Sequence, residues 1–289
     1  MRNRRKSSGG LLLRRIVLEL IVEERARLKE FTENHYAQAS FFWAQLIKNK
    51  EIKVNGKKVG EDVLLEKGDR VTYYLTPKQA EKPAFYEVYE DESVLIVDKE
   101  SGVNSEAVYA QLVRSGEYYF VHRLDRNTSG LLAFAKTPTA FKSLLAAFKD
   151  RRVEKIYHAL CFGCPKKQEE TLTAYLKKDG EKASVRIFGT PVSGSERIVT
   201  AYRVLDTQAE KCLLEVTLHT GKTHQIRAHL AYEGLPIVGD MKYGNTQKNR
   251  ALGISRQRLV AKSLRFVLDG EFAYLNEQCF FSRFSAELV

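Results

Sequence analysis

Beyond residue 90 the chain carries short apolar segments set close together, and their spacing limits the fold more than any other feature. Ser93 to Asp98, Tyr118 to Val121, Leu131 to Ala135 and Val153 to Phe162 read as strands, rich in β-branched and aromatic residues. Helical signals lie among them without the regular strand–helix–strand repetition of a doubly wound sheet, and neighbouring strand patterns are close enough to pair antiparallel. The expected class is therefore α+β, a mixed, largely antiparallel sheet with flanking helices. Thr137-Pro138 opens one such helix, which sets Phe141, Leu144, Leu145 and Phe148 on a stripe facing the core.

The first third of the chain reads differently. Residues 1–15 form a basic tail, with four cations in the first ten residues followed by Ser-Ser-Gly-Gly. Helical runs are expected from Arg25 to Tyr36 and from Ser40 to Asn49, the second placing Phe42, Ala44, Leu46 and Ile47 at helical spacing. An alternating stretch around Asn55-Gly56 then reads as a hairpin, because this dipeptide favours positive φ. Residues 16–78 are thus expected as a small α/β module, 79–86 as a linker and 87–289 as the larger domain. The module resembles the S4 RNA-binding domain, in which a helix pair precedes a V-N-G hairpin and a G-D-x-V strand, here Val54-Asn55-Gly56 and Gly68-Asp69-Arg70-Val71. Lys48, Lys50, Lys53, Lys57 and Lys58 crowd the helix end and the hairpin, a cationic surface for an RNA backbone or simply a solvated face.

Charge and apolar length narrow the function classes. Forty-seven Lys and Arg against 36 Asp and Glu leave a net charge of +11, which favours a polyanionic partner. No uninterrupted apolar stretch approaches the roughly 18 residues of a spanning helix. Arg14, Arg15 and Glu19 break the N-terminal apolar run, so a soluble, cytoplasmic protein without a signal peptide is expected. Cys161 and Cys164 form a C-x-x-C without a second pair, which reads as small apolar residues near a strand end. His219, His224 and His229 recur every five residues with no carboxylate among them, an unsuitable spacing for zinc. Gly221-Lys222-Thr223 lacks the P-loop glycine at Val216.

Two runs carry chemistry. His122-Arg123-Leu124-Asp125-Arg126-Asn127-Thr128-Ser129-Gly130 lies between two strands, with cations around Asp125 that favour a charged carboxylate; Asp125 is a nucleophile or the cap of a turn. In Leu218 to Gly244, Thr223 suits the N-cap of a helix reaching Glu233, with Gly234 at its end. Arg227, near the first turn, can then meet an anion, either a carboxylate or a phosphate. Lys155 and Tyr157 share one strand face by alternation, where the tyrosine reads on its own as sheet filler.

Together these residues resemble the RluA-type family of pseudouridine synthases. The signature H-R-L-D-x-x-T-S-G is unbroken at His122 to Gly130, K-x-Y occurs as Lys155-Ile156-Tyr157, and T-G-[RK]-T-H-Q-[IL]-R-x-H with its G-x-P-[IL]-x-G-D-x-x-Y-G continuation spans Thr220 to Gly244. The resemblance covers residues 85 to 289. One stretch departs from it: Asp98-Lys99-Glu100-Ser101-Gly102-Val103-Asn104 stands where members have N-K-P-x-G-x-x-x-H.

The resemblance implies an isomerase acting on uridine in RNA, either rRNA or tRNA, that breaks N1–C1′, turns the uracil and joins C5 to C1′ without cofactor or metal. It implies Asp125 as catalytic carboxylate, either attacking C1′ or easing proton loss from C2′, Arg227 as its ion-pair partner, and Tyr157 stacked on uracil and helping to take the C5 proton. Arg123, two residues before Asp125, is expected to fill the gap left by the extruded base or to bind phosphate. His122, Arg126, Lys155, Thr223, His224, Gln225, Lys53, Lys57 and Lys58 are expected to contact RNA, with Lys99 a further phosphate candidate. A membrane, a nucleotide cofactor and a partner subunit are not expected. A non-catalytic RNA-binding assembly factor and an N-glycoside hydrolase are the competing readings.

Overall fold

A computed structural model describes residues 15–179 and 184–287. The basic tail expected at residues 1–15 lies, all but Arg15, outside them. The chain divides into two compact units, residues 1–83 and 84–289.

The first unit contains β1 (Ile16–Ile21), β2 (Ala26–Arg27), α1 (Leu28–His35), α2 (Ala37–Phe41), α3 (Trp43–Lys48), β3 (Ile52–Val54), β4 (Lys57–Val59), β5 (Leu64–Leu65), β6 (Arg70–Leu75) and α4 (Pro77–Ala80). Its four-stranded sheet runs β1-β6-β3-β4, and β2 pairs with β5. Alternation in β6 buries Val71, Tyr73 and Leu75 completely, together with Leu28, Leu46 and Ile52. The hairpin and the following strand are tied by one side chain: Asn55 Nδ2 donates to Asp69 Oδ1 at 2.8 Å, and Asn55 Oδ1 accepts from Arg70 N–H at 2.9 Å.

Several local expectations need correction. Ile16–Ile21, for which the sequence suggests no element, is the edge strand β1. The second helical run is two helices broken at Phe42, and Ala44 faces solvent. The stretch expected as a linker, residues 79–86, starts within the last two residues of a capped helix, α4: Thr76 Oγ1 accepts from Gln79 N–H while Gln79 Oε1 accepts from Thr76 N–H.

The second unit contains β7 (Phe85–Glu90), β8 (Val94–Lys99), α5 (Ser105–Leu112), β9 (Tyr119–Phe120), β10 (Ser129–Ala135), α6 (Pro138–Lys149), β11 (Val153–Phe162), β12 (Glu169–Asp179), β13 (Ser184–Phe188), β14 (Glu196–Gln208), β15 (Lys211–Leu218), α7 (Gln225–Tyr232), α8 (Thr246–Ala251), β16 (Leu259–Phe266), a 3-10 turn (Gly270–Leu275) and β17 (Cys279–Phe281). An 11-stranded sheet follows the order β13-β12-β14-β15-β11-β16-β10-β8-β7, with β17 on β16 and β9 on β10. Mixed, largely antiparallel α+β architecture is therefore observed. Strands β8 and β10 are buried along their whole length, as near-continuous apolar runs require, and α6 packs Ala140, Leu144 and Ala147 against the same core. Leu145, expected on that stripe, is one step further round the helix and faces solvent. Cys161 is buried at the end of β11, but Cys164 is exposed, so only one of the pair is an apolar filler. No helix among the described residues is long and apolar enough to cross a membrane.

The sheet changes sense where β10 meets β16 in parallel, pairing Ser129 with Val260 and Gly130 with Ala261. Gly130 has φ of +113°, and a Cβ there would lie 2.3 Å from the carbonyl oxygen of Ala261. Only glycine fits this close approach. Gly130→Ala should destabilise the unit by at least about 3 kcal/mol, measured as a fall in denaturant midpoint without a change in slope.

Candidate active site

The loop between β9 and β10 carries Asp125, and the sequence fastens it from several sides. Ser105, the first residue of α5, donates from Oγ to the carbonyl of Leu124 at 3.1 Å and accepts from Leu124 N–H at 2.9 Å. Gln257 Nε2 donates to Thr128 Oγ1 at 3.1 Å. His122 stacks on Phe148 and accepts on Nε2 from Ala133 N–H at 3.0 Å, so this nitrogen fixes the loop to β10 while the ring lines the cleft. Burial next to Lys155 pushes its imidazole down to about 3. Lys99 is also a fastener: fully buried, its ammonium donates to the carbonyls of Glu100, Val103 and Arg126, and burial lowers it to about 7. It cannot reach phosphate. Arg126 donates from Nε to the Gly102 carbonyl at 3.1 Å and is not among the residues that line the cleft.

Helix α7 supplies the second half. Its N-cap is His224, held at φ of +56° with no side-chain cap, so Thr223 does not fill the expected role and stands exposed at the cleft rim. Gln225 does the fastening. Its Nε2 donates to Val199 O and Thr200 Oγ1, while Oε1 accepts from Thr220 Oγ1 and Lys222 N–H. The amide expected to bind substrate therefore has its donors and its acceptor engaged inside the protein.

Arg227 crosses from α7 to the loop. Its Nη1 donates to Asp125 Oδ2 at 2.8 Å, whereas Nε and Nη2 form a two-pronged pair with Asp240 at 2.7 and 3.1 Å. The expected ion pair with Asp125 is thus present through one nitrogen, while the two-pronged edge goes to Asp240, a residue that sequence reasoning does not single out. Its signal lies in the Gly239-Asp240 step, where a carboxylate follows an apolar run. Asp240 is 1% exposed and also accepts from the N–H groups of Lys242 and Tyr243. Burial works against its charge, but Arg227 and the two N–H groups hold the carboxyl below its ordinary value. Arg227 is in turn held well above its ordinary range by both carboxylates, against the cost of its own burial.

These parts close around a cleft of about 480 Å³ lined by Asp125, Arg227, Tyr157, Arg123, His122 and Lys155, with Thr223, His224 and Gln225 on the α7 side. Tyr157 is 8% exposed at a register shift in β11, and its hydroxyl has no protein hydrogen bond among the described residues. Burial and the negative Asp125 push its phenol above the ordinary value, so it is protonated at neutral pH. Lys155 has no carboxylate partner among the described residues; burial and Arg151 lower its ammonium. Arg123 is mostly exposed and pairs with Glu106 at 3.0 Å. Lys53, Lys57 and Lys58 belong to the first unit, on the β3–β4 hairpin, with Lys53 over the Tyr74 ring at 5.0 Å.

A cleft with a carboxylate tied to arginine and a neutral phenol suits chemistry on a flat base and its sugar. The family model described as RNA pseudouridylate synthase matches residues 80–232. A ribosomal large subunit pseudouridine synthase C from Vibrio cholerae is 33% identical over 254 residues, covering 77% of this chain and 79% of that protein. An uncharacterized RNA pseudouridine synthase of Chlorobaculum parvum is 31% identical, covering 76% of this chain and 79% of the relative. The solved human RNA pseudouridylate synthase domain containing 1 aligns with a TM-score of 0.58 at 29% identity, over 64% of this chain and 79% of that one. The chain belongs to the RNA pseudouridylate synthase family, of RluA type, and is an isomerase acting on RNA uridine.

The scaffold of α7 carries a pH signature. His229 is fully buried, shares Nδ1 with Thr200 Oγ1 at 3.0 Å and leaves Nε2 without a hydrogen bond, 3.9 Å from Glu233 Oε1; burial lowers it from 6.5 to about 4. The unfolded chain takes up a proton below about 6.5 that the fold resists until about 4, so this group removes stability as pH falls through that window. Urea midpoints should drop between pH 7 and pH 5, and drop less in His229→Gln.

Proposed function

We propose that the protein isomerises a specific uridine in large-subunit rRNA, with Asp125 as the catalytic carboxylate. The observation that carries this reading is the single Nη1 contact from Arg227 to Asp125, made by a guanidinium whose other edge is fixed on Asp240. One carboxylate oxygen is oriented and charge-balanced, and the other is left for the sugar, since Asp125 lines the cleft and Oδ2 alone takes the arginine. Asp125 then attacks C1′, or promotes the glycal route through C2′, as N1–C1′ breaks. Tyr157 packs on the uracil and, being protonated, needs a neighbouring group to receive the C5 proton.

The target uridine must leave its stack, at a cost of a few kcal/mol. Arg123 fills the space it leaves or binds phosphate, a reading supported by its exposure at the cleft beside Glu106. Lys155 and Arg151 offer cationic charge on the cleft wall without a carboxylate to neutralise Lys155, which suits the phosphate of the extruded nucleotide. We read residues 16–78 as an S4-like RNA-binding domain, 79–86 as the connection and 87–289 as the catalytic domain. The hairpin supports this reading: Lys57 and Lys58 are exposed at its tip, and the Asn55–Asp69 bond locks the two motifs into one surface. The rRNA target follows the name of the Vibrio cholerae relative.

Asp125→Asn removes charge and little volume. It should keep RNA affinity and lose isomerisation by at least about 1,000-fold, read by mapping pseudouridine in rRNA from cells with the wild-type or variant protein. Wild-type protein that binds rRNA and leaves every uridine unchanged would point to the non-catalytic reading, and release of free uracil to hydrolysis. The triple variant Lys53→Ala, Lys57→Ala, Lys58→Ala should bind RNA more weakly, with the slope of log affinity against log salt reduced by about 0.7 to 0.9 for each phosphate that is no longer neutralised. An unchanged slope would remove the hairpin from the RNA surface.

A further inference from the structure

His224 and Tyr243 form a pair beside Asp125 that the ion-pair chemistry above does not use. His224 Nδ1 lies 2.9 Å from Tyr243 Oη, and its Nε2 lies 3.9 Å from Asp125 Oδ2, on the cleft side. Tyr243 Oη also accepts from Val185 N–H at 2.9 Å. With the Val185 N–H donating to this oxygen, an O–H donated to Nδ1 uses the remaining hydrogen of the phenol and the free lone pair of the imidazole. The proton of a neutral imidazole then resides on Nε2. Two further observations show that the arrangement is built. His224 is held in the left-handed region at φ of +56°, a conformation that costs a non-glycine residue about 1 kcal/mol or more unless its surroundings impose it. Tyr243 is itself fixed twice, through its N–H on Asp240 Oδ1 at 3.0 Å and through its ring, 5.2 Å from the Arg227 guanidinium.

We propose that Tyr243 is a positioning residue that locks His224 in its Nε2–H form, so that His224 presents a neutral hydrogen-bond donor to the reacting nucleotide next to Asp125. The inference rests on the synthase reading. When N1–C1′ breaks, its electron pair leaves with the uracil, and negative charge spreads over the base oxygens in front of Asp125. A donor already aimed there stabilises that charge without reorganisation. A neutral donor does so without drawing Asp125 into a second ion pair that would compete with its attack. Burial and the neighbouring Arg227 and Lys242 oppose protonation of His224, whereas Asp125 and Asp240 favour it, and burial dominates.

The tautomer is read directly by long-range proton–nitrogen NMR of histidine-labelled full-length protein, with the His224 signals assigned by their loss in His224→Gln. Wild type should show a protonated Nε2 and a bare Nδ1, and Tyr243→Phe should mix the two forms. In single-turnover assays at saturating RNA, Tyr243→Phe should be slower by about tenfold and His224→Leu by about 10- to 100-fold, with RNA affinity unchanged. His224→Gln, whose Nε2 restores a neutral donor, should stay within about threefold of wild type. A wild-type proton on Nδ1, or His224→Gln as slow as His224→Leu, would overturn the proposal. Tyr243→Phe also strips the Val185 N–H of its acceptor; if that variant fails to fold, the wild-type spectrum and the two His224 variants decide. Wild-type protein without isomerase activity would instead overturn the synthase reading and leave the tautomer result standing.

Discussion

One guanidinium shared between two carboxylates organises the second unit. Arg227 is almost fully enclosed, and an enclosed charge is stable only when its partners and hydrogen bonds replace water. Asp240 does most of that. It takes the two-pronged contact, and the N–H groups of Lys242 and Tyr243 both donate to its Oδ1 as well. Asp125 is left with one donor and an open side. A carboxylate held by a full fork would be better neutralised and less available; one held at a single oxygen is oriented and still reactive.

The rest of the unit keeps the two ends of this bridge in register. Arg227 belongs to α7 and Asp125 to a loop 102 residues earlier, so their 2.8 Å contact depends on how rigidly each is mounted. Gln225 fixes the start of α7 to β14 through Val199 and Thr200. Lys99, Ser105 and His122 fix the loop to β8, α5 and β10. These are polar residues whose hydrogen-bonding capacity is spent inside the protein, which is how a loop acquires the precision of a strand. The stretch that departs from the family pattern, Asp98 to Asn104, still supplies this mounting through Lys99. The buried carboxylate of Asp98 accepts from Ser282 Oγ and Arg283 N–H, tying the C-terminal segment to the same place.

Individual residues show why some of this is readable in the chain and some is not. Gly130 is visible as a motif residue, but its reason, the 2.3 Å approach to Ala261, belongs to a pairing of strands far apart in sequence. Thr223 is a good N-cap by local chemistry, yet the cap falls one residue later, at His224, because the Gln225 side chain bonds to Val199, Thr200, Thr220 and Lys222 in ways a local pattern cannot show. Lys99 and Gln225 look like ligands for RNA in a cationic, polar sequence. Burial turns them into fasteners.

Short-range periodicity and an unbroken motif are enough to establish the family, the α+β class, the strand β11 to the residue, and the identity of most residues that line the cleft. Which charges meet is settled only in three dimensions. Asp240 replaces Asp125 as the partner of the arginine fork, and Tyr243 comes to face His224, since both outcomes depend on where α7 lies against the turn that follows it. Hydrogen bonds and ion pairs reach only about 3 Å, and contacts of that range between residues far apart in sequence exist only once the sheet has placed them.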